Sequence, residues 1–371
     1  MEQFQTFLQK AKQAREFTSY NSIHLVLGNE SCDLDSTVSA LALAYLIYSQ
    51  KCTSPSLVIP VMNVEAKYFP LRTETYYLLK KYGIDPNILI FKDQIDYANL
   101  LKTGKLVTSL VDHHVLSSHD KLLEKTVVQI FDHRPINKEE ICQGEHIEKT
   151  VIKIVGSCAT LVANEILSCN PSILFSELSH LLYATIIYDT IGLNKEHGKT
   201  FDEDLTVAQH LEDTLKTSPN RKDLFDLLWK VHNDTSTLTT KDLLYRDLKI
   251  VKGIPIPGLP MLVEDYLKRE DAYNALTTFT TENKSASAVV IGIDASKGVR
   301  RDVAIFSTDS HFKNTLINIL KNSQQIAGSD LMLTEVVTKN ESVVCFSQGN
   351  IKLTRKFILP LVNQAASECK S

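Results

Sequence analysis

The chain has 371 residues, more than a single hydrophobic core usually serves, so two domains are expected. Hydrophobic residues make up 43% of the chain and charged residues 23%, which is ordinary for a globular protein and excludes wholesale disorder. The formal net charge of −4 argues against a broad nucleic-acid-binding face, so we expect no nucleic-acid partner, whereas a small anionic substrate remains compatible.

The N-terminal segment and the cysteines bear on the compartment. The first 18 residues mix acidic and basic side chains and lack the apolar core of a signal peptide, so we expect a solvated helix that caps the first domain. No apolar run approaches the roughly 18 residues of a membrane helix, and no membrane partner is expected. The seven cysteines show no CxxC spacing, which is typical of free thiols in a reducing compartment. We therefore expect a cytoplasmic protein, with mitochondria as the alternative because the N-terminus also resembles a weak transit segment.

The N-terminal half alternates strand and helix patterns. A short buried strand is predicted at 22–27, and a polar loop leads from it into a helix over 37–50. The other strand patterns of this half lie at 57–62, 88–91, 106–111 and 127–131, and the other helical patterns at 73–82, 158–167 and 175–188. This alternation predicts a parallel sheet with helices on both faces.

The C-terminal part predicts a second, smaller domain. The chain turns polar and charged over 218–240, which we take as a linker between a domain at 1–217 and another at 241–371. Beyond the linker, strands are predicted at 261–266, 288–293, 303–306, 331–337 and 342–346, and helices at 264–279, 311–322 and 354–366. These patterns indicate a mixed α/β domain.

Acidic and imidazole side chains follow three of the predicted strands. In parallel α/β sheets, ligands bind outside the carboxyl ends of the strands. Asp189 adds a carboxylate at the end of a helix pattern. Oxygen ligands with a few imidazoles suit Mg²⁺, Mn²⁺ or Co²⁺. The residues that follow the strands are Asp33 and Asp35, then Asp112 with His113 and His114, then Asp132 with His133 and Arg134.

Each of these residues also has a simple structural explanation. An aspartate before a helix is more often an N-cap than a metal ligand, and an isolated histidine is usually hydrogen-bonded in an ordinary way. Their recurrence at the ends of apolar strands favours a metal site, because burying several carboxylates without a cation is costly.

These motifs resemble those of the DHH phosphoesterase superfamily and, within it, the prune-like exopolyphosphatases. The resemblance covers nearly the whole chain, and the second domain resembles the DHHA2-type domain shared with family II inorganic pyrophosphatases. It implies an N-terminal metal-binding catalytic domain and an active site in the interdomain cleft. The stretches that carry it are 28–36, 111–114, 132–136, 156–160, Asp189 and 354–356 with Pro360.

The resemblance also implies a set of metal ligands. The order of the motifs makes Asp112 the bridging acid and Asp132, His133 and Arg134 the signature, so His113 and His114 support the site or face the substrate. Two divalent ions are expected. One is held by Asp33 and Asp112, and the other by Asp35, Asp112, His133 and Asp189.

The chain departs from the pattern of relatives at two positions. Asn29 stands where the pyrophosphatases have a histidine, so we expect it to be at most a weak metal ligand. Arg134 replaces the second histidine of the signature. A guanidinium cannot bind a metal, but it can hold a phosphate with two parallel hydrogen bonds.

The second domain is expected to supply cations for the substrate. Basic residues alone are mostly solvated, but the resemblance implies that Lys249, Arg355 and Lys356 bind the terminal phosphate. The turn at 156–158 opens a helix and could add backbone donors, although an ordinary helix start explains it equally well. Cys158 is interpreted as a packing residue.

The expected function is hydrolysis of short polyphosphates by a hydroxide that bridges the two ions. Asp112, Arg134, Arg355 and Lys356 are the predicted catalytic residues. A cyclic-nucleotide phosphodiesterase is the first alternative, and a scaffold that binds nucleoside diphosphate kinase is the second. An exonuclease is disfavoured by the net charge and by the second-domain motif. The predicted substrate-binding residues are Arg134, His113, His114, Lys249, Arg355 and Lys356.

Overall fold

A computed structural model of the chain describes residues 1–14, 19–50, 56–136, 141–215, 220–294 and 298–369. The chain divides into two compact units, Met1–Asp234 and Thr235–Ser371. Each contains a β-sheet covered by helices, so the predicted two-domain α/β class is confirmed. Among the described residues, no helix is long and apolar enough to cross a membrane.

The first unit is built on a parallel sheet. Its strands are β1 (Ser22–Leu27), β2 (Ser56–Met62), β3 (Ile90–Phe91), β4 (Leu106–Val111), β5 (Val127–Asp132) and β6 (Lys149–Ile152). Over the described residues the order is β3-β2-β1-β4-β5-β6, and each neighbouring pair is parallel. The direction of strand addition reverses between β1 and β4, and ligands bind at such a reversal. Short, half-exposed β6 has no counterpart among the predicted strands.

Helices cover both faces of this sheet. They are α1 (Glu2–Gln13), α2 (Leu34–Gln50), α3 (Thr73–Lys81), α4 (Tyr97–Lys102), α5 (Cys158–Cys169), α6 (Ser176–Asp189), α7 (Asp202–Leu215) and α8 (Arg221–Asn233). Side chains of β1 alternate between two cores, with Val26 in one and Leu25 and Leu27 in the other, which explains its continuous apolar sequence. Helix α2 contacts α5, α6 and the sheet. Its apolar residues are therefore buried all round rather than on one stripe.

Two segments of the first unit differ from the expectations. Helix α1 buries Phe4, Phe7 and Leu8, whose spacing forms one apolar face, so it is part of the core rather than a solvated cap. Much of the predicted 218–240 linker is helix α8, which contacts α3 and α6 because Leu224 and Leu228 are buried. The unit boundary falls after this helix. The predicted domain end at residue 217 lies outside the described residues.

The second unit contains a mixed sheet. Its strands are β7 (Leu248–Val251), β8 (Ile254–Leu259), β9 (Ser287–Asp294), β10 (Arg300–Ser307), β11 (Leu333–Val336) and β12 (Val343–Gln348). In the described part of the chain the order is β11-β12-β10-β9-β8-β7, with β8 and β9 parallel and the other pairs antiparallel. Its helices are α9 (Thr240–Arg246), α10 (Val263–Tyr266), α11 (Ala272–Glu282), α12 (Ser310–Lys321), α13 (Ser323–Ala327) and α14 (Arg355–Glu368).

The predicted strand at 261–266 is wrong. The strand is β8, which contains Pro255 and Pro257 and was hidden because prolines usually indicate loops. It pairs with β9 at Gly258 and Leu259, beyond the two prolines. Residues 263–266 instead form the short helix α10.

Candidate functional site

Three predicted ligands converge at the reversal between β1 and β4. Asp35 lies in the first turn of α2, Asp112 directly follows β4, and His133 directly follows β5. One ligand atom from each lies within 4.8 Å of the others. Asp35 and Asp112 are buried, whereas His133 is partly exposed. The segments that follow the neighbouring strands β1, β4 and β5 therefore place two carboxylates and an imidazole in one compact group.

Hydrogen bonding orients the imidazole of His133. Its Nδ1 donates to the carbonyl oxygen of Val155 over 3.1 Å. Its Nε2 lies 3.2 Å from Oδ1 of Asp112 and 3.8 Å from Oδ2 of Asp35. The carbonyl selects the tautomer in which Nε2 is directed towards the carboxylates, and metal-binding histidines are commonly fixed in this way.

Asp112 has an uncommon backbone conformation. Its φ is +61°, in the left-handed region, and its N–H donates to Phe131 over 2.8 Å, so it remains tied to β5. Cys32, in the loop after β1, has a φ of +48°. Left-handed residues other than glycine cluster at functional sites, where the surrounding structure maintains the strain.

The Asp35 carboxylate is held by the start of α5. Oδ2 accepts from the N–H of Cys158 over 2.6 Å, and Oδ1 accepts from the N–H of Ala159 over 2.7 Å. The backbone donors considered at 156–158 therefore serve a carboxylate of the protein. The thiol of Cys158 is buried and donates to the carbonyl of Phe131.

Asp33 and Asp189 are not part of this 4.8 Å group, but both interact electrostatically with Asp35. Burial, followed by repulsion from Asp35, raises the pKa of the Asp33 carboxyl. Burial, followed by repulsion from Asp35 and Asp33, raises the pKa of Asp189 well above its ordinary value. Oδ2 of Asp189 is buried and has no hydrogen-bond partner. An unsatisfied buried oxygen among mutually repelling carboxylates fits a bound cation, which would relieve both costs.

The central pair is electrostatically coupled. Burial, followed by repulsion from Asp35, raises the pKa of Asp112 well above its ordinary value. Burial opposes the charged form of His133, but the carboxylates of Asp112 and Asp35 outweigh it and raise the pKa of His133 to about 10. A proton on this imidazole therefore partly replaces the positive charge that the carboxylates attract. The donor set of Asp33, Asp35, Asp112, His133 and Asp189 suits a divalent cation with oxygen and imidazole ligands.

Asn29 contacts Asp112 through its amide nitrogen. The nitrogen donates to Oδ2 of Asp112 over 2.5 Å, and the amide oxygen accepts from the N–H groups of Ser31 and Cys32. The amide oxygen is already hydrogen-bonded to the loop, so it could bind a metal only if the amide group rotated by 180°. The role of Asn29 as a weak ligand therefore stays a prediction.

The residues beside the signature differ in exposure. Arg134 is half-exposed, and its Nη2 lies 3.5 Å from Oδ1 of Asp112, so it can reach both the carboxylate and solvent. His113 and His114 are buried. Nδ1 of His113 donates to Val111, and Nδ1 of His114 donates to Asp132 over 2.5 Å. Both rings show supporting contacts, and their contact with a substrate stays a prediction.

The predicted basic residues of the second unit lie near one another in its fold. Lys249 is on β7 and exposed, and Arg355 and Lys356 begin α14. The guanidinium of Arg355 donates to the backbone oxygen of Asp247 over 2.9 Å and to its Oδ1 over 2.8 Å. Gly258 accommodates this pair, because a Cβ there would lie 2.9 Å from Nη1 of Arg355.

Three buried polar residues near the site were missed by the sequence analysis. Asp120 accepts from the amide of Asn63, which also donates to the backbone of Gly28. Asp204 accepts three hydrogen bonds at the start of α5 and α7. In sequence, Asp204 is one of three consecutive acids in the first turn of a helix, a pattern that macrodipole stabilisation explains without any further role.

Comparisons with known proteins cover nearly the whole chain. A model of one family, the DHHA2 domain, matches residues 226–365. The chain is 37% identical over 352 residues to the exopolyphosphatase PRUNE1 of Homo sapiens, a match that covers 93% of this chain and 76% of that protein. It is 35% identical over 351 residues to the Mus musculus protein of the same name, again covering 93% of this chain and 76% of that protein.

The fold is also similar to that of a solved structure. A Methanococcus jannaschii protein described as belonging to the family II inorganic pyrophosphatases superposes with a TM-score of 0.57 and 20% identity, covering 93% of this chain and 99% of that one. At this identity the similarity concerns the fold alone.

Proposed function

The chain belongs to the family of the exopolyphosphatase PRUNE1, and from that membership we propose that it is a metal-dependent exopolyphosphatase acting on short polyphosphates. The names of these relatives support a phosphohydrolase. The single observation that carries the metal dependence is the convergence of Asp35, Asp112 and His133 within 4.8 Å at the reversal of the sheet.

Each group at the site has a defined task in this proposal. Asp33, Asp35, Asp112, His133 and Asp189 would hold divalent cations. A bound cation supplies a Lewis acid that lowers the pKa of water and offsets charge on phosphoryl oxygens. The half-exposed guanidinium of Arg134 lies beside Asp112, where it binds a phosphate with two parallel hydrogen bonds. The hydrogen bond from His133 to Val155 keeps Nε2 directed at the carboxylates.

The second unit contributes cations to the substrate in the same proposal. Lys249, Arg355 and Lys356 bind the terminal phosphate. Asp247 orients the guanidinium of Arg355 before substrate binds. Preorganised cations directed at the oxygens where charge develops contribute to the rate without a reorganisation cost.

A comparison of substrates tests the proposal. The purified chain is assayed with Mg²⁺, Mn²⁺ or Co²⁺ against pyrophosphate, tripolyphosphate, longer polyphosphate and cyclic AMP. We expect the highest kcat/KM on the shortest polyphosphates and no turnover after chelation. Preference for cyclic AMP would favour the phosphodiesterase alternative. Absence of turnover with retained binding of nucleoside diphosphate kinase would favour the scaffold.

A further inference from the structure

One short segment contacts two of the predicted ligands. We define the 155–160 turn as the six residues from Val155 to Thr160, which lead into α5. The carbonyl of Val155 accepts from His133, and the N–H groups of Cys158 and Ala159 donate to Asp35. The position of this turn therefore influences where the side chains of His133 and Asp35 lie.

Asp204, on α7, is hydrogen-bonded to the 155–160 turn. Its Oδ2 accepts from the N–H of Gly156 over 2.8 Å and from the N–H of Phe201 over 2.9 Å. Its Oδ1 accepts from the hydroxyl of Thr160 over 2.6 Å. Asp204 is completely buried. Through these three hydrogen bonds its carboxylate joins Gly156 and Thr160 of the turn to the start of α7.

The packing leaves no room for a side chain at position 156. A Cβ at Gly156 would lie 2.4 Å from the backbone oxygen of Lys199, 2.4 Å from a methyl group of Thr190 and 2.9 Å from Oδ2 of Asp204. The turn therefore packs closely at Gly156 against Thr190 and Lys199, in the segment that joins α6 to α7, and against Asp204 of α7. The hydrogen bond from the N–H of Phe201 would be enough for a carboxylate that only capped α7. The hydrogen bonds from Gly156 and Thr160 are additional to that capping role.

We propose that Asp204 is a positioning residue that sets the geometry of the metal ligands through the 155–160 turn. Asp204 is not one of the predicted metal ligands and lies outside the group of Asp35, Asp112 and His133. The proposal rests on the proposed function in one respect, namely that the site binds a divalent cation.

Calorimetric titration of the full chain with Mn²⁺ tests this role. Asp204→Ala is expected to weaken Mn²⁺ binding by about tenfold or more, the usual effect of losing a residue that orients metal ligands. Asp204→Asn is expected to stay within about threefold of the unaltered protein, because the amide oxygen still accepts from Gly156 and Phe201 and the hydroxyl of Thr160 can turn to accept. The matched control is Asp302→Ala in the second unit, another buried carboxylate that accepts two backbone N–H groups, and it should leave Mn²⁺ affinity unchanged.

The outcomes separate positioning from simple stabilisation. A folded Asp204→Ala protein that melts earlier but binds Mn²⁺ as tightly as the unaltered protein would overturn the inference, as would an Asn variant no better than Ala. If Asp204→Ala does not fold, Thr160→Val is measured instead, because it removes only the hydrogen bond to Oδ1 of Asp204. Unchanged Mn²⁺ affinity of Thr160→Val would then refute the positioning role of Asp204. Absence of Mn²⁺ binding by the unaltered protein would instead refute the proposed function.

Discussion

Three side chains of the site contact the carboxylate of Asp112. The imidazole of His133, the guanidinium of Arg134 and the amide of Asn29 all approach it, and its backbone is held in the left-handed region by the bond to Phe131. Asp33, by contrast, accepts from the N–H of Ser36 at the start of α2. The two acids follow neighbouring strands, but more side chains contact Asp112 than contact Asp33.

Asp112→Ala is expected to reduce kcat/KM on tripolyphosphate by at least about a hundredfold. Two charge-assisted contacts, to His133 and Arg134, are lost, and each is worth about 1.5 to 3 kcal/mol. Asp112→Asn should not restore activity, because an amide is a poor ligand for a shared cation. Steady-state kinetics at saturating Mn²⁺ measure the effect, with Asp33→Ala as the comparison that should lose less. Near-normal turnover of folded Asp112→Ala would refute the bridging role.

Asn29→His is expected to tighten one metal-binding event by roughly tenfold, which corresponds to about 1.4 kcal/mol. Imidazole is a better ligand than an amide for Mn²⁺ or Co²⁺, and the side chain at this position already points at Asp112. Calorimetric titration reports the affinity. Asn29→Ala is the control, since it also removes the contacts to Ser31 and Cys32 but adds no ligand. Identical binding constants for Asn29→His and the unaltered protein would contradict the expectation.

At the scale of elements, single buried carboxylates organise the starts of helices. The carboxylate of Asp35 accepts hydrogen bonds from backbone N–H groups at the start of α5. The carboxylate of Asp302, on β10, accepts hydrogen bonds from the N–H groups of Val263 and Glu264 at the start of α10. Gly292 is required beside Asp302, because a Cβ there would lie 2.1 Å from its Oδ1. In both cases a short local interaction connects two elements that are distant in sequence.

Asp302 is expected to make the second unit less stable as pH rises. Burial, with a smaller contribution from the nearby acids Glu264 and Asp265, raises the pKa of Asp302 to about 6 despite its two backbone donors. Because the unfolded value is near 4, the folded state binds more protons between these values, so the free energy of unfolding falls from about pH 4 to pH 6 and then levels off. The whole effect is about 3 kcal/mol.

Asp302→Asn removes the titration, so its stability relative to the unaltered protein should improve over that interval. Urea unfolding of both proteins, followed by far-ultraviolet circular dichroism at several pH values, measures the difference. A difference that does not change with pH would show that Asp302 titrates normally.

At the scale of the whole molecule, the proposed activity draws on residues of both units. The first unit holds the acids and His133, and the second holds Lys249, Arg355 and Lys356. The family model covers residues 226–365, and the PRUNE1 relatives match across 93% of the chain, so family membership extends over both units.

Arg355→Ala is expected to lower kcat/KM by roughly ten- to a hundredfold while Mn²⁺ affinity stays unchanged, because a charge-assisted phosphate contact is worth about 1.5 to 3 kcal/mol. Arg300→Ala is a matched control, since Arg300 is also in the second unit and also pairs with an aspartate, Asp294. Kinetics on the best substrate compare the two. An Arg355→Ala efficiency within twofold of the unaltered protein would indicate a solvated surface residue.

The sequence by itself determined the alternation of strands and helices in the first unit and the acids that end its strands. Both are local signals, because an apolar run followed by polar residues is visible within about ten positions. Predictions from local sequence were wrong where contacts with residues distant in sequence determine the secondary structure. The prolines of β8 suggested a loop, and the polar face of α8 suggested a linker although Leu224 and Leu228 are buried.

Local patterns did not decide which of these residues meet: the family resemblance implied that Asp35, Asp112 and His133 hold one ion, and the tertiary structure is what places them together. The order of strands in the sheet brings Asp35, Asp112 and His133 together, and no local pattern encodes strand order. Asp35 and Cys158 are 123 positions apart, and Gly156 and Asp204 are 48 apart. A buried carboxylate at the start of a helix has the same sequence signature whether it caps that helix or anchors a metal site, because its partners are chosen by long-range packing.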